Sequence, residues 1–375
     1  MIIIADITGR TRLYDEMLFS SMCLVGDDVR LLMPSRGLIR MIPKKYQSSS
    51  NAIKRIVKIV ECFINYFILG IRLVYSKTNI LHLQWLPFLE IIGVEYYILL
   101  LFKLFRPKLN VVLTVHNVFP HDMEENKKEA YIKRFIKIGQ FIDAFIVHTE
   151  ASKSELSSIY NINESRIHIC YHGVFKPLVV GETNEKERKD KFRILMFGLH
   201  SFYKGTDILV EAVNKLSDKC KNLVDVNIVG LVEKGYYDRL IKMDGSNLIR
   251  WKNYFLSDSE LGKEIAQCDL IVLPYRKISQ SGVLLMALNC GKMIVCSDLP
   301  SFKETLHGPE HDSSYDNDLF FKSDDSDSLC SLLERYIEQS VSETVLLNRM
   351  EQLAKDYSWD KSAEKTMEVY RKVLS

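Results

Sequence analysis

FRILMFGLHSFYKGTDILVEAVNKL, residues 192–216, passes from a continuous apolar run through a short turn into a helix-like pattern. An apolar run without polar alternation marks a strand covered on both faces, as in a parallel sheet. The turn places Lys204 and Gly205 at the helix entrance, where unpaired amides and a cation can hold phosphate. A plain β-to-α turn with a solvated lysine explains the same residues equally well.

The pattern recurs on both sides. DVNIVG (225–230), NLIRWK (247–252), DLIVLPY (269–275) and MIVCSD (293–298) continue this series, and IIIADI (2–7), VRLLMP (29–34), ILHLQW (80–85), NVVLTVH (110–116), DAFIVHT (143–149) and RIHICYH (166–172) form an earlier one. Strand-like runs alternating with helical segments predict an α/β protein of two doubly wound, Rossmann-like domains. The expected division is 1–178, a charged linker at 179–190, a second domain at 191–357, and a capped helix at 358–375 crossing back to the first domain. Two such domains are expected to face a central cleft at the carboxyl ends of their strands, where ligands of open α/β sheets sit.

Residues just beyond strands therefore carry the functional reading. YRKISQSGVLLMALNCGK (275–292) repeats the strand-to-helix corner, with Ser281 as the expected N-cap and Gly282 allowing close approach to the backbone. Packing alone accounts for this corner as well. TVHNVFPHD (114–122) ends a strand at His116 and carries His121 and Asp122 in the loop beyond, where backbone capping is the plainer reading. His148 and His172 also end strands and are expected to face the cleft; Thr149 or Ser152 suits a helix cap, and His172 with Gly173 suits a hinge. No histidine, cysteine or carboxylate spacing suggests a metal site, and Asp325 with Asp327 reads as a helix cap.

Composition narrows the class. The chain has 375 residues, 47% hydrophobic and 26% charged, with a net charge of +2, ordinary for a folded enzyme and without a global field for nucleic acid. Eight scattered cysteines without a CxxC motif fit a reducing cytosol. MIIIADI reads as a buried strand rather than a signal peptide, and the apolar stretches at 62–71 and 98–105 fall short of the ~20 residues of a spanning helix. Residues 44–77 combine basic residues with an apolar body, and ILLLFKLFRPK follows downstream. Such a segment suits either an anionic membrane surface or a core helix with basic ends.

Taken in order, TVHN, VHTEASKSEL, HGVF, FGLHSFYKG, NYFLSDSEL, CDLIVLPYR and SQSGVLLMALNCGK, with the closing SW helix, resemble the retaining GT-B glycosyltransferases of family 4, particularly bacterial members that build surface polysaccharides. The resemblance implies a nucleotide-diphosphate sugar as donor substrate, with neither metal nor other cofactor. It makes His116 and Lys204 the catalytic candidates, His116 at the transferred sugar and Lys204 at the leaving diphosphate. It places the donor on Gly198, Lys204, Gly205, Asn253, Tyr254, Phe255, Lys277, Ser281, Gly282 and Val283, and the acceptor beside Gly9, Arg10, Arg12 and His172. The implied protein is a cytoplasmic hexosyltransferase on the inner membrane face, using a glycan or lipid-linked acceptor.

Two departures stand out. Family members carry a pair of glutamates in the stretch at 275–292, where this chain has Lys277 or Ile278 and then Met286. The arginine usual before the lysine–glycine pair is replaced by His200 and Ser201, leaving Arg276, Lys277, Arg10 or Arg12 as helpers to Lys204. These departures keep a non-catalytic GT-B partner subunit open as an alternative. A nucleotide-sugar epimerase is the other alternative, although no acid/base carboxylate–histidine set can be placed for it.

Overall fold

The structure, a computed structural model, describes residues 1–25, 28–41, 52–120, 123–175, 191–278 and 280–375. The linker at 179–190, His121 with Asp122, and residues 44–51 lie outside the described residues.

The chain divides into two compact units, Met1–Gly173 with Trp359–Ser375, and Val174–Ser358. The first boundary thus falls at Gly173, ahead of residue 178, because the Val174 amide already donates to the Tyr357 carbonyl within the second unit (2.7 Å).

The first unit runs β1 (Ile2–Ala5), α1 (Arg12–Val25), β2 (Val29–Pro34), β3 (Gly37–Leu38), α2 (Ala52–Tyr75), β4 (Ile80–Leu83), α3 (Glu95–Phe105), β5 (Asn110–Thr114), α4 (Glu125–Gly139), β6 (Ala144–Val147), α5 (Glu150–Tyr160) and β7 (Ile167–Ile169). Its parallel sheet has the order β3-β2-β1-β4-β5-β6-β7. The second unit runs β8 (Phe192–Phe197), α6 (Thr206–Lys215), α7 (Asp218–Leu223), β9 (Val224–Val229), α8 (Lys234–Met243), β10 (Ile249–Lys252), α9 (Asp258–Gln267), β11 (Leu270–Leu273), α10 (Gly282–Asn289), β12 (Met293–Ser297), α11 (Pro300–His307), α12 (Asp316–Leu319), β13 (Phe320–Phe321), α13 (Ser326–Ile337) and α14 (Glu343–Asp356). Its parallel order is β10-β9-β8-β11-β12-β13. A last helix, α15 (Trp359–Leu374), belongs to the first unit.

Alternation along β1 sorts the first unit's core into two layers. Ile2 and Ile4 join Leu18 and Met22 of α1 and Ala363 and Met367 of α15, whereas Ile3 and Ala5 join α2 to α5 through Leu69, Leu99, Phe135 and Leu156. The Tyr370 hydroxyl pairs with His82 Nδ1 at 2.6 Å, which gives α15 a polar anchor inside that layer. Gly173 makes room for the final helix, since a Cβ there would fall 2.5 Å from the Trp359 ring.

In each sheet the strand order reverses at the first strand, between β1 and β4 and between β8 and β11. Loops leaving the carboxyl ends of these pairs diverge and open a crevice suited to ligands. The two-residue strands β3 and β13 are too short for an alternation pattern to announce.

Outward-facing α2 is unusual. Its inner side buries Cys62, Tyr66, Leu69 and Leu73, yet its outer side exposes Ile56, Val60, Phe63, Phe67, Ile71 and Val74 at helical spacing. Neighbouring α3 adds exposed Tyr97, Leu101, Leu104 and Phe105.

Glu95, the first residue of α3, is fully buried; its Oε1 accepts the Phe88 amide at 2.5 Å and its Oε2 has no partner among the described residues. Burial pushes its pKa up to about 7. A carboxyl whose pKa is raised by folding costs stability as pH climbs from its unfolded value of 4.5 through 7. Glu95→Gln is therefore expected to resist urea better than the parent at pH 8, by roughly 3 kcal/mol. The gain should vanish near pH 4.5; equal gains at both pH values would contradict the assignment.

Candidate functional site

The second unit's crevice is built by close backbone contact. Gly205 holds φ +66°, and a Cβ there would fall 1.8 Å from the Pro274 carbonyl oxygen, so only glycine lets the loop after β8 meet the loop after β11. Gly198 holds φ +120°, and its Cβ position lies 3.6 Å from Val283 and 3.7 Å from Lys204 Nζ. The sequence-expected residues Gly198, Lys204, Gly205, Ser281, Gly282 and Val283 thus converge at one switch point.

Lys204 ends a 3-10 turn at Phe202–Lys204, and Gly205 caps α6. Its Nζ donates to the Tyr275 hydroxyl at 3.2 Å and lies 4.9 Å from the ring centre. No carboxylate lies within ion-pair distance of it among the described residues. Desolvation lowers its pKa to about 8. A half-buried cation without a counter-charge is a receptor waiting for an anion.

Across the crevice, Ser281 Oγ accepts the Leu284 amide at 3.2 Å as the N-cap of α10. Helix geometry leaves the amides of Gly282 and Val283 without intrahelical acceptors, adding the positive end of a helix dipole. Ser281 is buried, Gly282 exposed, and Met286 half-buried on the same helix.

The proposed cationic helpers are engaged elsewhere. Arg276 makes a two-pronged bond to Asp207 (2.8 and 3.0 Å) and a third contact to Asp324 at 2.8 Å, and it stacks over Phe202. Asp207 also accepts from the Tyr236 hydroxyl, so this cluster braces the Phe202–Lys204 turn rather than charging the crevice. His200 is fully buried, held between Thr206 Oγ1 and the Val229 carbonyl, and burial lowers its pKa to about 4. It is a neutral strut where family members place a cation. Lys277 is exposed.

Asn253, Tyr254 and Phe255 follow β10, away from the switch strands. Asn253 Oδ1 accepts the Val232 amide at 2.9 Å, and Phe255 is 82% exposed.

The first unit presents a different surface. The loop after β1 is organised by Asp6, which sequence reading passed over: one oxygen accepts from the amides of Thr8 and Gly9 and the Thr8 hydroxyl, the other from the Thr11 amide. Gly9 takes φ +69° in this loop. Arg10 lies 4.1 Å from the Trp85 ring centre and 3.8 Å from Glu90, while Arg12 pairs with Glu16 at 2.8 Å. Arg10, Trp85, Glu90, Asn117, Lys127 and Arg134, with Ile91 and Met123, line a mixed polar and apolar hollow of about 640 Å³.

Next to it sits a buried histidine cluster. His148 Nδ1 lies 2.8 Å from the Cys170 carbonyl, so that nitrogen carries the proton. Burial holds His148 neutral, with its pKa lowered to about 4, which makes Nε2 an acceptor. His116 Nδ1, 3.3 Å away, donates to it in the Nδ1–H form, which leaves His116 Nε2 with its lone pair. Gln84 Oε1, itself an acceptor, lies 3.4 Å from that nitrogen, so the Nδ1–H form rests on the shorter contact to His148, and the edge of Tyr14 packs on the ring at 4.8 Å. His172 spends Nδ1 on the Gly173 carbonyl at 2.6 Å and packs 5.0 Å from Trp359. Nothing in sequence spacing reveals this relay. Thr149 caps α5 and Asp325 caps α13, accepting from Ser152 and from Asp327 and Ser328 respectively. Among the described residues no cluster of three potential metal ligands occurs.

Comparison with known proteins gives both units a family. Residues 191–339 match the family described as Glycosyl transferases group 1, and residues 80–175 match Glycosyltransferase Family 4. The chain belongs to the GT-B glycosyltransferases. A curated relative, the GDP-mannose:glycolipid 4-beta-D-mannosyltransferase of Xanthomonas campestris pv. campestris, is 25% identical over 230 residues, 59% of this chain and 61% of that protein. The match thus spans about three fifths of the relative's length. Among solved structures, sucrose-phosphate synthase from Thermosynechococcus elongatus superposes with a TM-score of 0.73 at 12% identity, covering 100% of this chain and 98% of that one. HepE of Anabaena, solved with UDP and glucose, superposes at 0.67 with 14% identity and 99% coverage of both chains. These establish the GT-B fold.

Two measurements test the geometry. Nitrogen-15 NMR of histidine-labelled protein at pH 7.5 is expected to show His116 in the Nδ1–H form, a preference lost in His148→Leu; an Nε2–H signal would refute the relay. Affinity for a nucleoside diphosphate is expected to fall about tenfold between pH 7 and 9 as Lys204 loses its proton. Lys204→Arg should flatten that profile, because guanidinium stays charged.

Proposed function

We propose that this GT-B protein transfers a hexose-type residue from a nucleotide-diphosphate sugar to a lipid-linked or polysaccharide acceptor at the inner face of a membrane, with retention of configuration. One observation carries the reading: Lys204, desolvated and without a carboxylate partner, sits with the α10 amino end at the switch point of the group 1 unit. A diphosphate supplies the missing counter-charge. In transfer the C1–oxygen bond to the diphosphate breaks, the acceptor oxygen bonds to C1, and the acceptor proton leaves with the phosphate or solvent. Negative charge grows on the departing oxygens, where Lys204 and the helix end stabilise it. His116 Nε2 offers a lone pair to a sugar hydroxyl. The mixed hollow around Arg10 and Trp85 suits the acceptor. The relative's printed substrate, a glycolipid, supports a lipid-borne acceptor here.

Inversion is a second reading with its own support. The glutamates expected in 275–292 are absent, and the mannosyltransferase relative is named for a 4-beta linkage. Proton NMR of the product's anomeric coupling separates the two.

Incubation with a panel of GDP- and UDP-sugars and a membrane-lipid extract is expected to yield a glycosylated lipid. Lys204→Ala should lower turnover at least a hundredfold with unchanged circular dichroism. Binding of a sugar nucleotide without transfer or nucleotide release would replace this function with that of a non-catalytic partner subunit.

A further inference from the structure

The outer surface of α2 and α3 remains outside the sugar chemistry. Between them lies an apolar groove of about 420 Å³, walled by Phe63, Phe67, Ile71 and Val74 of α2 and by Leu101 and Phe105 of α3. Gly70 lets the Phe102 ring of α3 pack closely on α2 beside the groove: a Cβ there would fall 3.1 Å from that ring. An apolar cavity of about 150 Å³ takes one benzene molecule, so this groove has room for on the order of fifteen carbon atoms. Phe67 is 69% exposed and Tyr75, at the end of α2, 87% exposed. An apolar surface of this extent marks an interaction site on a folded protein.

Charge identifies the occupant. The two helices carry one carboxylate each, Glu61 and Glu95, and both are buried. Glu61 turns inward to the Met41 amide, and Glu95 to that of Phe88. At the carboxyl ends, Arg106 lines the groove and bonds the carbonyls of Ser76 and Thr78. Exposed Lys77 and Lys108 follow α2 and α3 there. An apolar trough with a cationic rim and no exposed carboxylate on either helix is complementary to a lipid with an anionic headgroup.

We infer that the α2–α3 groove seats one aliphatic chain of an anionic bilayer lipid, with Lys77 and Lys108 at its headgroup. The face docks on the membrane through a lodged chain as well as by charge. This deepens the membrane-side part of the proposed function and rests on it for biological context. The groove itself requires no sugar chemistry.

The test uses the full chain without sugar nucleotide. Phe105→Trp is the reporter, and vesicles contain phosphatidylglycerol with or without bromine on its acyl chains. Flotation with the vesicles and quenching by brominated chains are expected, with both reduced at least tenfold by Phe67→Ser/Val74→Ser. Those side chains are largely exposed, and an unchanged melting temperature confirms folding. Lys77→Glu/Lys108→Glu is expected to remove the preference for phosphatidylglycerol over phosphatidylcholine. Vesicle binding unaffected by the groove pair, absence of binding, or a lipid-independent dimer abolished by the pair would each overturn the inference. Transfer to a detergent-solubilised acceptor, measured on the same variants, is expected to persist and keeps failure of the groove distinct from failure of the enzyme.

Discussion

Backbone contact at Gly205 is the constraint on which the second unit's chemistry depends. A carbonyl oxygen occupying the space of a side chain locks the turn after β8 onto the end of β11. That single approach sets Lys204 beside Tyr275 and brings both close to the start of α10. Any larger residue would separate the loops, and the lysine would become an ordinary solvated cation. Arg276, clamped by Asp207 and Asp324, stiffens the same turn from outside.

Desolvation acts in opposite chemical directions in the two units. Around Lys204 it withholds solvent from a charge, so that an incoming anion gains what water does not supply. Around His116 it removes charge altogether, leaving neutral rings whose proton positions are dictated by the Cys170 carbonyl through His148. The second unit's surface is suited to an anion, the first unit's to a hydroxyl.

Much of the architecture was legible in the chain because parallel strands leave dense apolar runs. β2 occupies the whole of the run at residues 29–34, and most other runs contain a strand one or two residues shorter. Ser281 and Asp325 were legible as caps because capping is local chemistry. The organising role of Asp6, the relay through His148, and the diversion of Arg276 to Asp207 were not legible. The Asp6 carboxylate bonds to Thr8, Gly9 and Thr11 in a loop with no helix or strand pattern to single it out, whereas the other two depend on residues brought together by the sheet, with partners 22 positions away for His148 and 69 for Arg276. The replacement of the family's arginine by His200 was visible as a letter; that it forms a neutral strut required its burial.

The placement of α15 has a consequence for biogenesis. Tyr370 and Trp359, with the rest of α15, complete a layer whose other members lie in the first half of the chain, as the pairing of His82 with Tyr370 across 288 positions shows. During synthesis the second unit emerges with all its strands before this helix exists. The earlier unit must wait on the ribosome with Tyr14, Leu18 and Met22 uncovered, a window in which a chaperone or the membrane itself can act. Maturation thus proceeds out of chain order, with the amino-terminal half sealed last.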